Sequence, residues 1–191
     1  MQHRRSSRLV AAALVLALPL LGGCGFGKAT DKVYTPGAGT NDRDGDVKVL
    51  AAVVVAAQPD SGTFIASLSN NGADDDSFAG LSGVDEWSDL EVAEISPAVD
   101  LAPRGFVNLA DEGGVAITGD FEAGDMMRLS LSFESGQTVT MNVPVVFACD
   151  EYTGLDTSAG GGAESGDSES ASASPSSDAE AYDCAAALEE E

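Results

Sequence analysis

The side chains of this chain that could carry chemistry are few, and the three cysteines are foremost among them. The 191-residue sequence contains Cys24, Cys149 and Cys184, together with a single histidine, His3. A thiol can accept a lipid, form a disulfide or bind a soft metal ion. A hydroxyl nucleophile, by contrast, needs a neighbouring base such as histidine. The surroundings of each cysteine therefore indicate which reaction it undergoes.

Cys24 follows a segment with the organisation of a secretory signal. Basic residues lie between positions 3 and 8, an apolar run covers residues 9–21, and Gly22-Gly23 directly precedes the cysteine. A basic start, a short apolar region and small residues before the cut are typical of such signals. A transmembrane anchor is the other interpretation, but a span needs roughly 20 apolar residues. This run is shorter and contains Pro19 near its end.

The tetrapeptide Leu21-Gly22-Gly23-Cys24 resembles the lipobox of bacterial lipoprotein signals, Leu-x-Gly-Cys. The resemblance implies that a diacylglycerol is attached to Cys24 through a thioether, that residues 1–23 are removed, and that palmitate is among the acyl groups. It also implies that the protein is anchored to the outer face of the bacterial cytoplasmic membrane and faces the cell wall.

The charge of the mature chain excludes one large class of partners. Arg4, Arg5 and Arg8 account for three of the nine basic residues, so six remain against 32 acidic residues, a formal charge of −26. Phosphate recognition needs basic patches, so no nucleic-acid partner is expected. Anionic headgroups also repel such a chain, so the lipid on Cys24 must hold it at the membrane. A solvated surface explains the acidity better than an acidic docking surface.

Cys149 and Cys184 are an even pair in an exported chain, which favours a disulfide. A thiolate metal site is the alternative, but two cysteines without histidine are a poor ligand set. The bridge would close a loop of about 35 residues and stabilise the fold by roughly 3–4 kcal/mol in chain-entropy terms.

Composition divides the mature chain into three parts. Residues 24–45 are rich in Gly, Thr, Asp and Asn and are predicted to be a flexible tether. Residues 46–150 contain the apolar segments and are predicted to form the folded domain. Residues 151–191 are an acidic tail, in which residues 156–181 lack an apolar pattern and are expected to be disordered.

The apolar segments predict an all-β, antiparallel sandwich. Residues 47–57 are rich in valine and indicate a strand buried on both faces, whereas residues 62–70 alternate. Shorter apolar stretches follow, separated by Pro and Gly turn signals. The run Asp74-Asp75-Asp76 is predicted to be a solvated loop rather than a cation site, and Trp87 a packing residue at an edge or loop.

Residues 126–146 predict a β-hairpin with a defined register. A three-residue loop, Glu134-Ser135-Gly136, would pair Leu131 with Val139 and Leu129 with Met141, with the apolar side chains on one face. The same loop places Gly136 where a left-handed conformation is needed.

This hairpin also carries a family resemblance. Gly124-Asp125 before a strand, Phe133-Glu134-Ser135-Gly136 at the turn, and a closing strand ending in Pro144-Val145 resemble the end of PCuAC extracytoplasmic copper chaperones. Residues 34–152 as a whole are similar to LpqE-type lipoproteins of actinobacteria. The resemblance implies a cupredoxin-like or immunoglobulin-like β-sandwich.

The ligands on which the family's copper chemistry depends are missing from this chain. Those chaperones hold Cu(I) with histidine and methionine, which suit that ion, but the mature chain has no histidine. Met127 and Met141 fall on the apolar face of the hairpin and are predicted to be core residues. Without histidine no Ser-His or Cys-His pair can activate a nucleophile, so we expect no enzyme and no cofactor.

The sequence therefore predicts a lipid-anchored envelope lipoprotein whose β-sandwich serves in binding or scaffolding, with an unidentified envelope protein as partner. The alternative is a degenerate copper-chaperone-like protein that handles metal through Met126, Met127 and Met141.

The lipobox resemblance leads to a direct prediction. Cys24→Ala should abolish lipid attachment and leave the chain uncut or released, because cysteine is the lipid acceptor of the motif. Metabolic labelling with a fatty-acid analogue measures this, and equal labelling of wild type and variant would contradict it.

Overall fold

The structure, a computed structural model, describes residues 37–158 and 181–184. The signal segment, Cys24 and most of the predicted tether lie outside the described residues. Within those ranges no helix is long and apolar enough to cross a membrane. The described residues form ten strands: β1 (Thr40–Asp42), β2 (Val47–Gln58), β3 (Ser61–Asn70), β4 (Asp76–Gly83), β5 (Glu91–Val92), β6 (Val99–Leu101), β7 (Phe106–Asn108), β8 (Val115–Thr118), β9 (Met126–Phe133) and β10 (Thr138–Phe147).

The strands are ordered β5-β8-β3-β2-β10-β9-β4-β6, with β1 added beside β2 and β7 beside β3. The first half of β10 pairs antiparallel with β9. Its last residues, Val145 to Phe147, pair parallel with Val54 to Ala56 of β2. This confirms the predicted all-β sandwich, and corrects the expectation that every pair of strands is antiparallel.

The core lies between the two halves of this curled sheet. Phe64 and Leu68 come from β3, whereas Phe78 and Leu129 come from β4 and β9, and all four are fully buried in one cluster. The rings of Phe78 and Phe133 lie 5.8 Å apart. Burial of each such side chain contributes about 1.5–3 kcal/mol to stability, so this cluster is the main source of cohesion.

A β-bulge in β2 keeps the apolar side chains on the core side. Val47 and Val49 face the core, but after the bulge the core residues are Ala52 and Val54. At the bulge Ala51 has a φ of 51°, and its N–H donates to Asn41 Oδ1 at 3.0 Å. One inserted residue changes the alternation by one position, which restores the inward face.

Strand β1, whose Asn41 side chain binds the bulge, lies inside the predicted tether. That tether extends to residue 45 in the sequence-based division, but Thr40–Asp42 pairs with β2 as β1. The sheet therefore begins before the predicted domain boundary at residue 46. The polar residues of β1 do not indicate a strand, because a short edge strand is held by backbone pairing and needs no apolar periodicity.

The hairpin of β9 and β10 has the predicted register. Leu131 pairs with Val139 and Leu129 with Met141. The N–H of Gly136 donates to the carbonyl of Phe133 at 3.0 Å, and Gly136 has a φ of 89°. The three-residue loop is therefore confirmed, with glycine in the left-handed position.

The outer face of β2 and β3 carries a second apolar cluster. Val53, Val55 and Ile65 are buried there beneath Tyr152 and Leu155, which follow the last strand. The prediction that residues 47–57 are buried on both faces is confirmed for this part of β2. Burial also raises the pKa of the Tyr152 phenol, with a further contribution from the charge of the adjacent Glu151.

Asp156 fastens the chain beyond the last strand to this face. Its Oδ2 accepts the N–H of Ala57 at 2.8 Å, and its Oδ1 accepts the hydroxyls of Thr63 at 2.9 Å and Ser158 at 2.6 Å. Thr63 Oγ1 in turn accepts the N–H of Thr157 at 2.7 Å. The expectation of disorder from residue 156 onward is therefore wrong for residues 156–158, and residues 159–180 lie outside the described residues.

A disulfide joins Cys149 and Cys184, as the cysteine count predicts, with the two Cα atoms 5.7 Å apart. Tyr182 adds contacts of its own near the bridge. Its N–H donates to the carbonyl of Ala57 at 2.8 Å, its hydroxyl accepts the N–H of Ala123 at 3.0 Å, and its ring meets Phe147 edge-on. Residues 181–184 are therefore held against the sandwich by more than the covalent bond.

The buried carboxylate gives a stability prediction. Asp156→Asn should lower the free energy of unfolding by about 1–3 kcal/mol, because the amide group donates where a carboxylate oxygen accepts and leaves a buried donor without a partner. Asp75→Asn, at an exposed loop position, is the matched control. Chemical denaturation of both variants measures the difference, and equal midpoints would refute the role of Asp156.

Candidate functional site

A cleft of about 490 Å³ lies between the two ends of the strand order, where β5 and β8 approach β6. One wall is the segment that leads from β5 into β6, and the other comes from β7, β8 and the turn between them. The cleft is lined by Ala93, Glu94, Ile95, Ser96, Pro97, Ala98, Val99, Asp100, Val107, Leu109, Glu112, Gly114, Val115 and Ala116.

The second wall is positioned by pairing with β3. Val107 lies opposite Leu68, and Val115 lies opposite Phe64. Leu109 donates its N–H to the carbonyl of Ala66 at 2.9 Å. Leu109 and Val115 are buried at the base of the wall, so this side of the cleft rests on the central strands of the fold.

The turn between β7 and β8 depends on two glycines. Gly113 and Gly114 have φ values of 89° and 67°, a conformation that glycine adopts without steric cost. A Cβ on Gly114 would lie 2.8 Å from the carbonyl oxygen of Phe64, whereas one on Gly113 would meet nothing within 4 Å. The close approach of Gly114 to β3 places Glu112 at the mouth of the cleft.

The charged groups of the lining are all acidic. Glu94, Asp100 and Glu112 line the cleft, and Asp100 Oδ1 accepts the hydroxyl of Ser77 at 3.3 Å. Among the described residues, the carboxylates of Glu94 and Glu112 have no ion pair and no hydrogen bond. No basic residue lines the cleft. Carboxylates around a concave surface, with no positive charge among them, focus a negative potential into it.

Ser96 supplies the hydroxyl of the lining, and no histidine, lysine or cysteine accompanies it, so the lining contains no Ser-His or Cys-His pair. Among the described residues no group of three histidine, cysteine, aspartate or glutamate side chains could hold a metal ion. The arrangement can bind and orient a ligand through apolar contact and negative charge.

Asp76, the last residue of the aspartate run at residues 74–76, begins β4 and is half-buried, whereas Asp74 and Asp75 are exposed in the loop as predicted. Burial of Asp76 raises the pKa of its carboxyl, but hydrogen bonds donated by Ser135 and by the backbone N–H of Ser77 outweigh this and hold the pKa below its ordinary value. The stabilisation is therefore present above the unfolded-state pKa and is lost as the pH falls through the folded-state pKa. Asp76 anchors the β9–β10 turn to β4.

Trp87 is a packing residue, as predicted. It ends a short 3₁₀ turn, Asp85–Trp87, and its ring packs against the core cluster. The indole Nε1 is buried and has no hydrogen-bond partner among the described residues. The adjacent Asp85 and Arg128 form an exposed ion pair at 3.5 Å, which contributes little to stability.

The three methionines of the copper alternative do not converge. Met127 is fully buried and Met141 is 7% exposed, both in the core as predicted, whereas Met126 is 55% exposed. Met126 and Met127 are consecutive in β9 and point to opposite faces. Residues 115–118 form β8, whose Val115 and Ile117 side chains lie in the core.

The cleft is the site that sequence reasoning missed. Pro97 and Gly113-Gly114 were recognisable only as turn signals, and Glu94 and Glu112 only as two of many acids. The β7–β8 turn and the residues after β5 share no local pattern. Their proximity follows from the pairing of β7 and β8 with β3.

Among the solved structures that resemble the fold are three PCuAC domains. No protein-family model matches the chain, and no curated protein matches it. The apo PCuAC domain from PmoF1 and the copper-bound PCuAC domain from PmoF2 are each 19% identical, cover 56% of this chain and 98% of their own, and have a TM-score of 0.46. The apo PmoF2 PCuAC domain is 18% identical, with 58% and 98% coverage and the same TM-score. At these values the likeness carries no conclusion about metal binding by this chain.

The positions of the methionines lead to a prediction about copper. The mature protein should not bind Cu(I) tightly, because two thioethers are buried in the core and the third faces away from them. A competition titration against a Cu(I) chromophore measures this, with Met126→Leu as the informative variant and Met141→Leu as a core control. Binding of one equivalent that is lost in Met126→Leu alone would contradict the prediction.

Proposed function

We propose that this protein is a non-catalytic binding protein of the bacterial cell envelope whose ligand occupies the cleft between β6 and β8. The observation that carries the proposal is the cleft itself, with apolar side chains in both walls and two unpaired carboxylates in its lining. A volume of about 490 Å³ lies within the range of small-molecule sites in proteins.

The location in the envelope is the second part of the proposal. It is supported by the signal-like segment at residues 1–23 and by the lipobox-like motif that ends at Cys24. A lipid on Cys24 would hold the sandwich at the outer face of the cytoplasmic membrane. The resemblance to LpqE-type lipoproteins of actinobacteria supports the same placement.

The cleft is suited to binding because its floor is preformed. Its β7–β8 wall is hydrogen-bonded to β3, and Leu109 and Val115 belong to the packed core. The opposite wall is partly fastened too, since Ala93 donates its N–H to the carbonyl of Ala116 at 2.9 Å. A ligand would therefore find the apolar surface already assembled, which lowers the entropic cost of binding.

The copper-handling alternative receives no support from the arrangement of side chains. Its candidate ligands Met127 and Met141 are buried, and among the described residues no group of three histidine, cysteine, aspartate or glutamate side chains could hold a metal ion.

Hydrogen exchange tests binding through the cleft. We expect fractions of an envelope extract to slow exchange of the purified protein in residues 93–100 and 107–116, and not in the β9–β10 hairpin. Ala98→Trp, which fills the cleft, should remove this protection, whereas Thr140→Trp on an exposed position of β10 should keep it. Unchanged exchange across the cleft with every fraction would overturn the proposed function.

A further inference from the structure

We infer that the ligand of the cleft is a small organic cation, an ammonium group carried on an apolar body. This inference rests on the proposed function and names its ligand class. It is drawn from three observations: the apolar walls, the unpaired carboxylates at the mouth, and the strand edge that is already occupied.

The apolar walls select the body of the ligand. Ile95, Val99 and Val107 are half-buried along the cleft, above the buried Leu109 and Val115. Contact with a hydrocarbon group would remove this exposed surface from water, at about 25 cal/mol for each Å². A small hydrophilic ion would lack this apolar contribution.

The carboxylates of the lining favour a ligand with a positive charge. Glu94 follows β5 and Glu112 lies in the β7–β8 turn, so the two approach the cleft from different segments. Asp100 is a further carboxylate of the lining and accepts a hydrogen bond from Ser77. Glu94 and Glu112 have no protein partner among the described residues. A bound cation would offset part of their negative charge. An anion would be repelled, because no basic side chain lines the cleft to offset these charges.

The occupied strand edge favours a small molecule over an extended protein segment. A partner strand would need free backbone groups along β8. At the cleft that edge already pairs with β5 through Ile117 and Val92, and Ala93 donates to the carbonyl of Ala116. The strand on the other side, β6, ends the strand order and is only three residues long. An extended segment would therefore find little backbone to pair with, and the lining side chains would provide most of the contacts.

Calorimetry with a matched set of probes tests the ligand class. The mature lipidated protein is placed in phosphatidylcholine nanodiscs, and the heat from empty nanodiscs is subtracted. Hexylammonium should bind, hexanoate should not, and methylammonium should bind about tenfold more weakly or not at all, because it lacks the apolar body. Raising the salt concentration should weaken hexylammonium binding.

Charge-matched double variants test the residues. Glu94→Gln with Glu112→Gln should weaken hexylammonium binding by about tenfold. Glu122→Gln with Glu134→Gln removes two exposed carboxylates that do not line the cleft, and should leave the affinity unchanged. Both pairs change the net charge equally, so a difference between them reports on the cleft and not on the overall field.

Four outcomes would overturn the inference. These are equal binding of hexanoate, equal effects of the two double variants, no binding of hexylammonium, or tighter binding of the capped peptide acetyl-Val-Lys-Val-amide, which would assign the cleft to a protein partner. If hexylammonium fails while an envelope fraction still protects the cleft from exchange, the proposed function stands and the ligand class is wrong. If both measurements fail, the proposed function is wrong as well.

Discussion

The change of pairing partner along β10 is the constraint on which this fold depends. Residues up to Pro144 pair antiparallel with β9, and the residues from Val145 pair parallel with β2. At the change, Val145 donates its N–H to the carbonyl of Asp125 and accepts the N–H of Gly124, at 2.8 and 2.9 Å. One continuous strand therefore joins the two halves of the curled sheet, and its backbone remains hydrogen-bonded at the change of partner.

The cleft is a consequence of this arrangement. Joining the halves through β10 leaves β5 and β8 at one end of the strand order and β6 at the other. No strand pairs β6 with β8, so side chains meet there across a gap instead of backbone groups. Apolar side chains such as Val99 and Val107 line the gap while the acids lie at its mouth, which gives a polar surface with a recessed apolar interior.

The outer face of β2 is closed by a different device. Val53, Val55 and Ile65 would be exposed on that face without the chain that follows β10. Asp156 holds that chain in place by accepting hydrogen bonds from β2, β3 and its own neighbour, whereas Tyr182, held by the disulfide from Cys149, packs against the main core cluster. A very acidic protein thus uses one buried carboxylate, fully hydrogen-bonded, to complete a second apolar layer.

Local periodicity and composition determined a definable part of this protein. The β9–β10 register was predictable because a three-residue loop ending in Gly136 and the alternation of Leu129 and Leu131 are encoded within 21 residues. The burial of Met127 and Met141 followed from the same alternation, and the disulfide followed from the cysteine count. For the hairpin and the methionines the physical cause lies in residues close in sequence. For the disulfide, only two cysteines remain once Cys24 is assigned to the lipid.

Tertiary structure alone decided the rest, because the decisive contacts join residues far apart in the chain. Asp156 and Thr63 are 93 positions apart, and polar composition by itself indicated disorder for the segment that Asp156 begins. Thr40–Asp42 became a strand by pairing with the edge of β2 on either side of the bulge at Ala51, whose N–H donates to the Asn41 side chain. Glu94 and Glu112 are ordinary acids in the sequence. They become a candidate binding site because β5, β7 and β8 are all assembled on β3 or on each other, which brings two unrelated loops to one cleft.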